Sequence, residues 1–268
     1  MGKLKKVIKK SVKLLIPVFV LAALIGGGYY WHKKKNEPPG VVTYSSAREL
    51  QGEMERLEGL KSKSWQDTYR LGVAYLYAKK DADAAKTLEE AARLYPRYHK
   101  IYESLGMAYY RLGDFEKAKK AWEYALNAAP ASSPHIKELI AVAERRLDYR
   151  NRASSLEKTI SGGGGNWRTR YELATLYAGL NRIDDAIFNL KEAVKEKKDS
   201  PELFDALARL YAIRGDFENA ILAEKKARRL RPGDEAMEKR LGEMERLRDA
   251  IKKGEFHETP APQEPSFR

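Results

Sequence analysis

A period of 34 residues runs from Trp65 to Asp234 and narrows what this chain can fold into. In the segment starting at Trp65, the seventh, eighth and eleventh residues are Leu71, Gly72 and Tyr75. The twentieth, twenty-fourth, twenty-seventh and thirty-second are Ala84, Leu88, Ala91 and Pro96. One period later the same slots hold Leu105, Gly106, Tyr109, Ala118, Trp122, Ala125 and Pro130. In the unit starting at Pro201 they hold Leu207, Ala208, Tyr211, Ala220, Glu224, Ala227 and Pro232. The pattern predicts two helices per unit, joined by turns such as Arg111-Leu112-Gly113-Asp114 and Arg214-Gly215-Asp216. The glycine can adopt the left-handed conformation that ends one helix, and the aspartate can cap the next. Small residues at Gly72, Ala84, Gly106 and Ala118 allow two helix backbones to approach. Tyr75, Leu88, Tyr109 and Trp122 fill the space between units. Pro96, Pro130 and Pro232 stop the second helix, because an internal proline loses a hydrogen bond and clashes with the preceding turn. A single helix pair cannot bury its apolar face, so the copies must stack.

These slots resemble the tetratricopeptide repeat (TPR) family, whose period and Leu-Gly-Tyr, Ala, Phe, Ala, Pro pattern they reproduce. The resemblance implies an all-α, right-handed TPR superhelix of five helix–turn–helix repeats with flanking capping helices. The repeats are expected at 65–98, 99–132, 133–166, 167–200 and 201–234. The third is degenerate: Leu139, Ile140 and Ala143 keep the first-helix pattern and Leu156 holds the twenty-fourth slot, but Gly162–Gly165 replaces the terminating proline. Four glycines resist helix, which makes this stretch a hinge or a tolerated loop. The fourth is regular, with Leu173, Ala174, Tyr177, Ala186, Leu190 and Ala193, and has Lys198 in the proline slot. Residues 46–61 read as an amphipathic N-terminal capping helix or half-repeat, with Ser46 and Glu49 spaced as a capping box. Residues 235–253 read as a closing helix, with Met237, Leu241, Met244, Leu247 and Ile251 beneath a charged face. The proline-bearing tail, 254–268, is expected to be disordered.

The net charge of +13 invites a nucleic-acid reading, but nine lysines and no acid lie within residues 1–36. A nucleic-acid binder would carry such an excess on its folded surface, so no nucleic acid is expected as a partner. Residues 1–13 form a basic segment, and Leu14–Trp31 is an uncharged run of 18 residues. As a helix that run spans about 27 Å, close to the roughly 30 Å of a hydrocarbon core. Tyr29, Tyr30 and Trp31 suit the membrane interface, and six lysines precede the run against three after it. The expectation is a transmembrane signal anchor at 14–31, with the N-terminus cytoplasmic and the repeats in the periplasm of a bacterial inner membrane. Cleavage at the small residues Gly26–Gly28, which would release a secreted protein, is the other reading of the same run. Residues 32–45, with Pro38-Pro39-Gly40, are expected to be a linker.

The absence of cysteine excludes lipoprotein acylation, a CxxCH haem site, thiolate zinc sites and disulfides. The four histidines, His32, His99, His135 and His257, have no metal-ligand spacing. No P-loop, GxGxxG or GxSxG occurs, and no nucleophile–base pair can be assembled. No catalytic residue, metal or cofactor is therefore expected.

What remains is recognition. In the family, the first helix of each repeat lines a concave surface through its second, fifth, ninth, twelfth and thirteenth residues. Carried onto this chain, the resemblance implies a partner-binding groove of Tyr69, Val73, Tyr77, Met107, Tyr110, Arg111, Lys137, Arg145, Arg168, Tyr171 and Arg209. One subtype clamps the C-terminal carboxylate of chaperones with Lys and Asn in the first repeat. Tyr69 and Val73 stand at those positions, which departs from that subtype. Tyrosines beside Arg and Lys suit a protein or peptide with apolar anchors and some acidic character. On this reading Tyr69→Ala with Tyr110→Ala leaves the helical melt unchanged and abolishes partner capture. The function expected is a membrane-anchored scaffold in envelope assembly or secretion. A cytosol-facing membrane adaptor and a regulatory subunit of a membrane-bound enzyme complex are the alternatives. The sequence leaves the oligomeric state open.

Overall fold

The computed structural model describes residues 37–40, 42–130 and 133–254, and every extended element among them is an α-helix. The basic segment 1–13, the apolar run 14–31 and the tail 255–268 lie outside the described residues. No helix among the described residues is long and apolar enough to cross a membrane. The chain divides into two compact units, Met1–Ala108 and Tyr109–Arg268.

In the first unit, α1 (Ala47–Glu58) packs on α2 (Trp65–Tyr77), which pairs with α3 (Asp81–Leu94). Ser46 starts α1 by accepting from the Glu49 N–H. Ser64 and Asp67 form a reciprocal capping box at the start of α2, so two otherwise orphaned donors are satisfied before the first apolar turn. The core side chains Leu57, Leu76, Leu88 and Ile101 are fully buried. Gly72 is needed for contact: a Cβ there would lie 2.6 Å from Leu88 Cγ on the opposing helix. The last helix to begin in this unit is α4 (His99–Arg111).

The second unit contains α5 (Phe115–Ala128), α6 (Ser133–Ser161), the pair α7 (Trp167–Gly179) and α8 (Ile183–Glu196), the pair α9 (Pro201–Ile213) and α10 (Phe217–Leu230), and α11 (Glu235–Lys252). Neighbours in this series pack together from α5 to α11. Trp122, Ile136, Leu190 and Leu203 are fully buried. They join small residues such as Ala186, Ala193, Ala208 and Ala220, which let the helices approach closely.

One turn geometry recurs in both units. The fifteenth residue of four repeats has positive φ: Lys79 at 57°, Gly113 at 78°, Asn181 at 60° and Gly215 at 82°. The following N–H donates back to the eleventh-slot tyrosine carbonyl in each case, from Lys80 to Tyr75, Asp114 to Tyr109, Arg182 to Tyr177 and Asp216 to Tyr211, at 2.8–2.9 Å. This is the six-to-one closure that ends a helix on a left-handed residue. Asp114 and Asp216 then accept from the N–H groups of Lys117 and Asn219, which starts the second helix.

Residues 133–166, expected as a degenerate helix–turn–helix, contain instead a single uninterrupted helix of 29 residues. The fifteenth slot there is Leu147, a branched side chain for which the left-handed conformation is costly. The eighth and twentieth slots are Ile140 and Arg152, where the regular repeats have Gly or Ala. Without two small residues the backbones cannot approach as a hairpin, so the helix continues. Gly162–Gly165 ends it: Gly164 N–H donates to Thr159 at 3.0 Å, and Gly163 and Gly165 have φ of 78° and 94°. Asn166 then caps α7 reciprocally with Thr169.

Candidate partner-binding face

The expected groove residues fall into two groups, one in each unit. In the first unit, Tyr69, Val73 and Met107, expected at the surface, are buried. Tyr69 is only 6% exposed; its ring meets Tyr98 edge-on at 5.3 Å. Ser104 is hydrogen-bonded to its phenol, and burial pushes the pKa of that phenol far up. Aromatic pairs of this geometry add about 0.5–1.5 kcal/mol to their burial. Tyr69 is thus a core residue, because the side chain that reaches inward from α2 is covered by the Tyr98 ring.

The cover extends along α2. Residues of the expected linker lie against this face. The Glu37 carbonyl accepts from Gln66 Nε2 at 3.3 Å, and the Pro39 carbonyl accepts from the Tyr98 hydroxyl at 3.1 Å. The Tyr44 ring packs edge-on to Tyr77, with centroids 5.2 Å apart. Tyr98, Tyr44 and Gln66 were absent from the sequence-derived site. A signal for this docking does exist in the sequence: Val41-Val42-Thr43-Tyr44 is a β-favouring run within a supposed linker.

In the second unit the candidates are more accessible. Tyr110 is half-buried and its hydroxyl accepts from Arg146 Nε at 3.2 Å. Arg111 is half-buried at the end of α4. Lys137 and Arg145 are exposed on α6, two turns apart on one helix face. On α7, Arg168 stands over the Trp167 ring at 4.6 Å, and Tyr171 is exposed. Arg209 on α9 is exposed and paired with Asp205 at 2.6 Å. The arrangement offers cations and one open phenol on the first helices of successive repeats, where polar and aromatic contacts with another chain can form.

Beneath Arg209 sits a buried charge. Glu224 occupies the twenty-fourth slot of its repeat, where other repeats have Leu88, Trp122 and Leu190, and it is fully buried. Arg240 Nη2 of α11 lies 3.0 Å from its Oε1, while its Oε2 has no hydrogen-bond partner. Arg240 also pairs with Asp205. Burial raises the Glu224 pKa against the opposing pull of Arg240. A carboxyl with a raised folded-state pKa costs stability when ionised, and that cost falls away as pH drops through the raised value. Glu224→Leu is therefore expected to stabilise the full-length chain by about 1–3 kcal/mol at pH 7, since Arg240 keeps Asp205. The gain should shrink toward pH 5, as measured by urea denaturation at both pH values.

No group of three or more His, Asp or Glu residues among the described residues could hold a metal ion.

Three segments match the tetratricopeptide repeat family: residues 69–98, 99–132 and 171–235. A curated protein, the BBSome complex member BBS4 of Bos taurus, is 23% identical over 191 residues, covering 71% of this chain. The chain spans only 36% of the length of that relative. Among solved structures, a thermophilic TPR protein of Thermus thermophilus is 22% identical, with 67% of this chain and 98% of that one covered and a TM-score of 0.34. MamA from Desulfovibrio magneticus is 18% identical, with 65% and 99% covered and a TM-score of 0.31.

Proposed function

Because the chain belongs to the tetratricopeptide repeat family, we propose that it is a non-enzymatic scaffold that docks a protein or peptide partner on the first helices of its repeats. The observation that carries this reading is the exposed set on α6, α7 and α9, namely Lys137, Arg145, Arg168, Tyr171 and Arg209. Exposed cations and an open tyrosine suit a partner with acidic and apolar side chains. That the curated relative BBS4 is a BBSome complex member supports a role in assembly.

The same proposal tethers the scaffold to a bilayer through residues 14–31, with the N-terminus cytoplasmic and the repeats in the periplasm, in envelope assembly or secretion. Its support is the uncharged run and the lysine excess that precedes it. Tethering raises the effective concentration toward a partner in the same membrane, so a modest affinity suffices.

A photo-crosslinking side chain at Tyr171 in the full-length chain, irradiated in intact membranes, tests the docking face. A discrete protein adduct is expected at Tyr171 and none at Phe188, an exposed residue of the second helix in the same repeat. Adducts at Phe188 alone, or at neither position, would refute the docking face.

A further inference from the structure

The first-unit face already has a peptide on it. Counting from Gln66 to Tyr77 along α2 gives about 16 Å at 1.5 Å per residue. Glu37 lies at the Gln66 end of this face and Tyr44 at the Tyr77 end. Val42 and Tyr44 are half-buried while Thr43 between them is exposed, the alternation of a short extended stretch. It is held through backbone carbonyls, at Glu37 and Pro39, and through one aromatic ring, Tyr44. Carbonyl contacts are indifferent to side-chain identity, whereas the aromatic sets the register.

The fit has one defect. The Tyr44 hydroxyl is buried with no hydrogen-bond partner, and desolvation pushes its pKa up to about 12. A buried donor without an acceptor weakens the contact that buries it. The segment is thus well placed but imperfectly bound.

We propose that Glu37–Gly40 and Val42–Tyr44 are a resident ligand of the first-repeat face, and that a partner takes this face with a segment that offers backbone carbonyls to Gln66 and Tyr98 and an aromatic ring to Tyr77, displacing the resident one. This rests on the scaffold reading above and specifies the chemistry of what the scaffold accepts. The resident segment competes as part of the same chain, at an effective concentration that a free peptide must overcome.

The test uses a fluorescein-labelled peptide of sequence Glu-Pro-Pro-Gly-Val-Val-Thr-Tyr-Ser-Ser and the full-length chain, read by anisotropy. Tyr44→Ala removes the ring contact and should bind the peptide about tenfold more tightly than the unaltered chain. Tyr44→Phe removes only the orphaned hydroxyl and should bind it more weakly than the unaltered chain. Adding Tyr98→Phe to Tyr44→Ala deletes the donor to the Pro39 carbonyl and should reverse the gain. Equal affinities across Tyr44→Ala, Tyr44→Phe and the unaltered chain would overturn the proposal, as would indifference to Tyr98→Phe. If the peptide fails to bind while Tyr171 still crosslinks its partner, the resident-ligand proposal falls and the scaffold reading stands. Loss of the Tyr171 adduct sinks the scaffold reading whatever the peptide does.

Discussion

Trp122→Ala is expected to destabilise the chain by about 3–5 kcal/mol, the range for removing a large aromatic from a close-packed interior. Trp122 is the largest of the fully buried side chains. It lies on α5, with its ring 5.9 Å from that of Tyr110, and α5 packs directly on α6. Alanine would leave a void that the rigid helices around it can close only in part. In a stacked array each unit depends on its neighbours, so the loss should also loosen α6. Urea denaturation of the full-length chain followed by circular dichroism measures the first effect, and hydrogen exchange in α6 the second. Leu222→Ala, at a side chain 65% exposed, should change stability by no more than about 0.5 kcal/mol. A Trp122→Ala effect as small as that would show that the packing around the indole is not what holds the helices together.

Tyr69→Ala is expected to cost about 3–4 kcal/mol, and this reverses what its position in the repeat suggests. Read as a groove residue, Tyr69 should be expendable for stability. Its ring is instead buried against Tyr98, and Ser104 would lose the hydrogen bond it makes with the phenol. Both terms act together, the cavity and the orphaned hydroxyl. Tyr171→Ala offers the contrast, since that ring is exposed and its loss should leave the melting temperature nearly unchanged while partner capture falls. Thermal melts of the two variants side by side decide the matter. A flat response at Tyr69 would mean that the ring does not contribute to the core.

The two tyrosines occupy the same slot of different repeats and have different fates. Slot identity tells which way a side chain points, because helical period and the small–large alternation are local properties. What the side chain meets there depends on whether another segment has covered the face. On α2 that cover comes from residues outside the repeat, with Tyr44 on Tyr77 and the Pro39 carbonyl on Tyr98, and no 34-residue count extends to them. The continuous α6 had a signal in the sequence, but a quieter one. Leu147, Ile140 and Arg152 stand where a turn residue and two small residues are required, and each is informative only once the regular repeats show what those slots must do.

By itself the amino-acid sequence determined the four regular helix pairs, their turns and their stops, because each follows from residues within a few positions of one another: a left-handed glycine or asparagine, a capping aspartate, a terminating proline. Only the tertiary structure decided which candidate residues face solvent, that Glu224 is buried beside Arg240, and that Glu37, Pro39 and Tyr44 lie on the first-repeat face. Those outcomes depend on contacts between segments far apart in the chain, whose energies come from burial and desolvation rather than from local backbone preference.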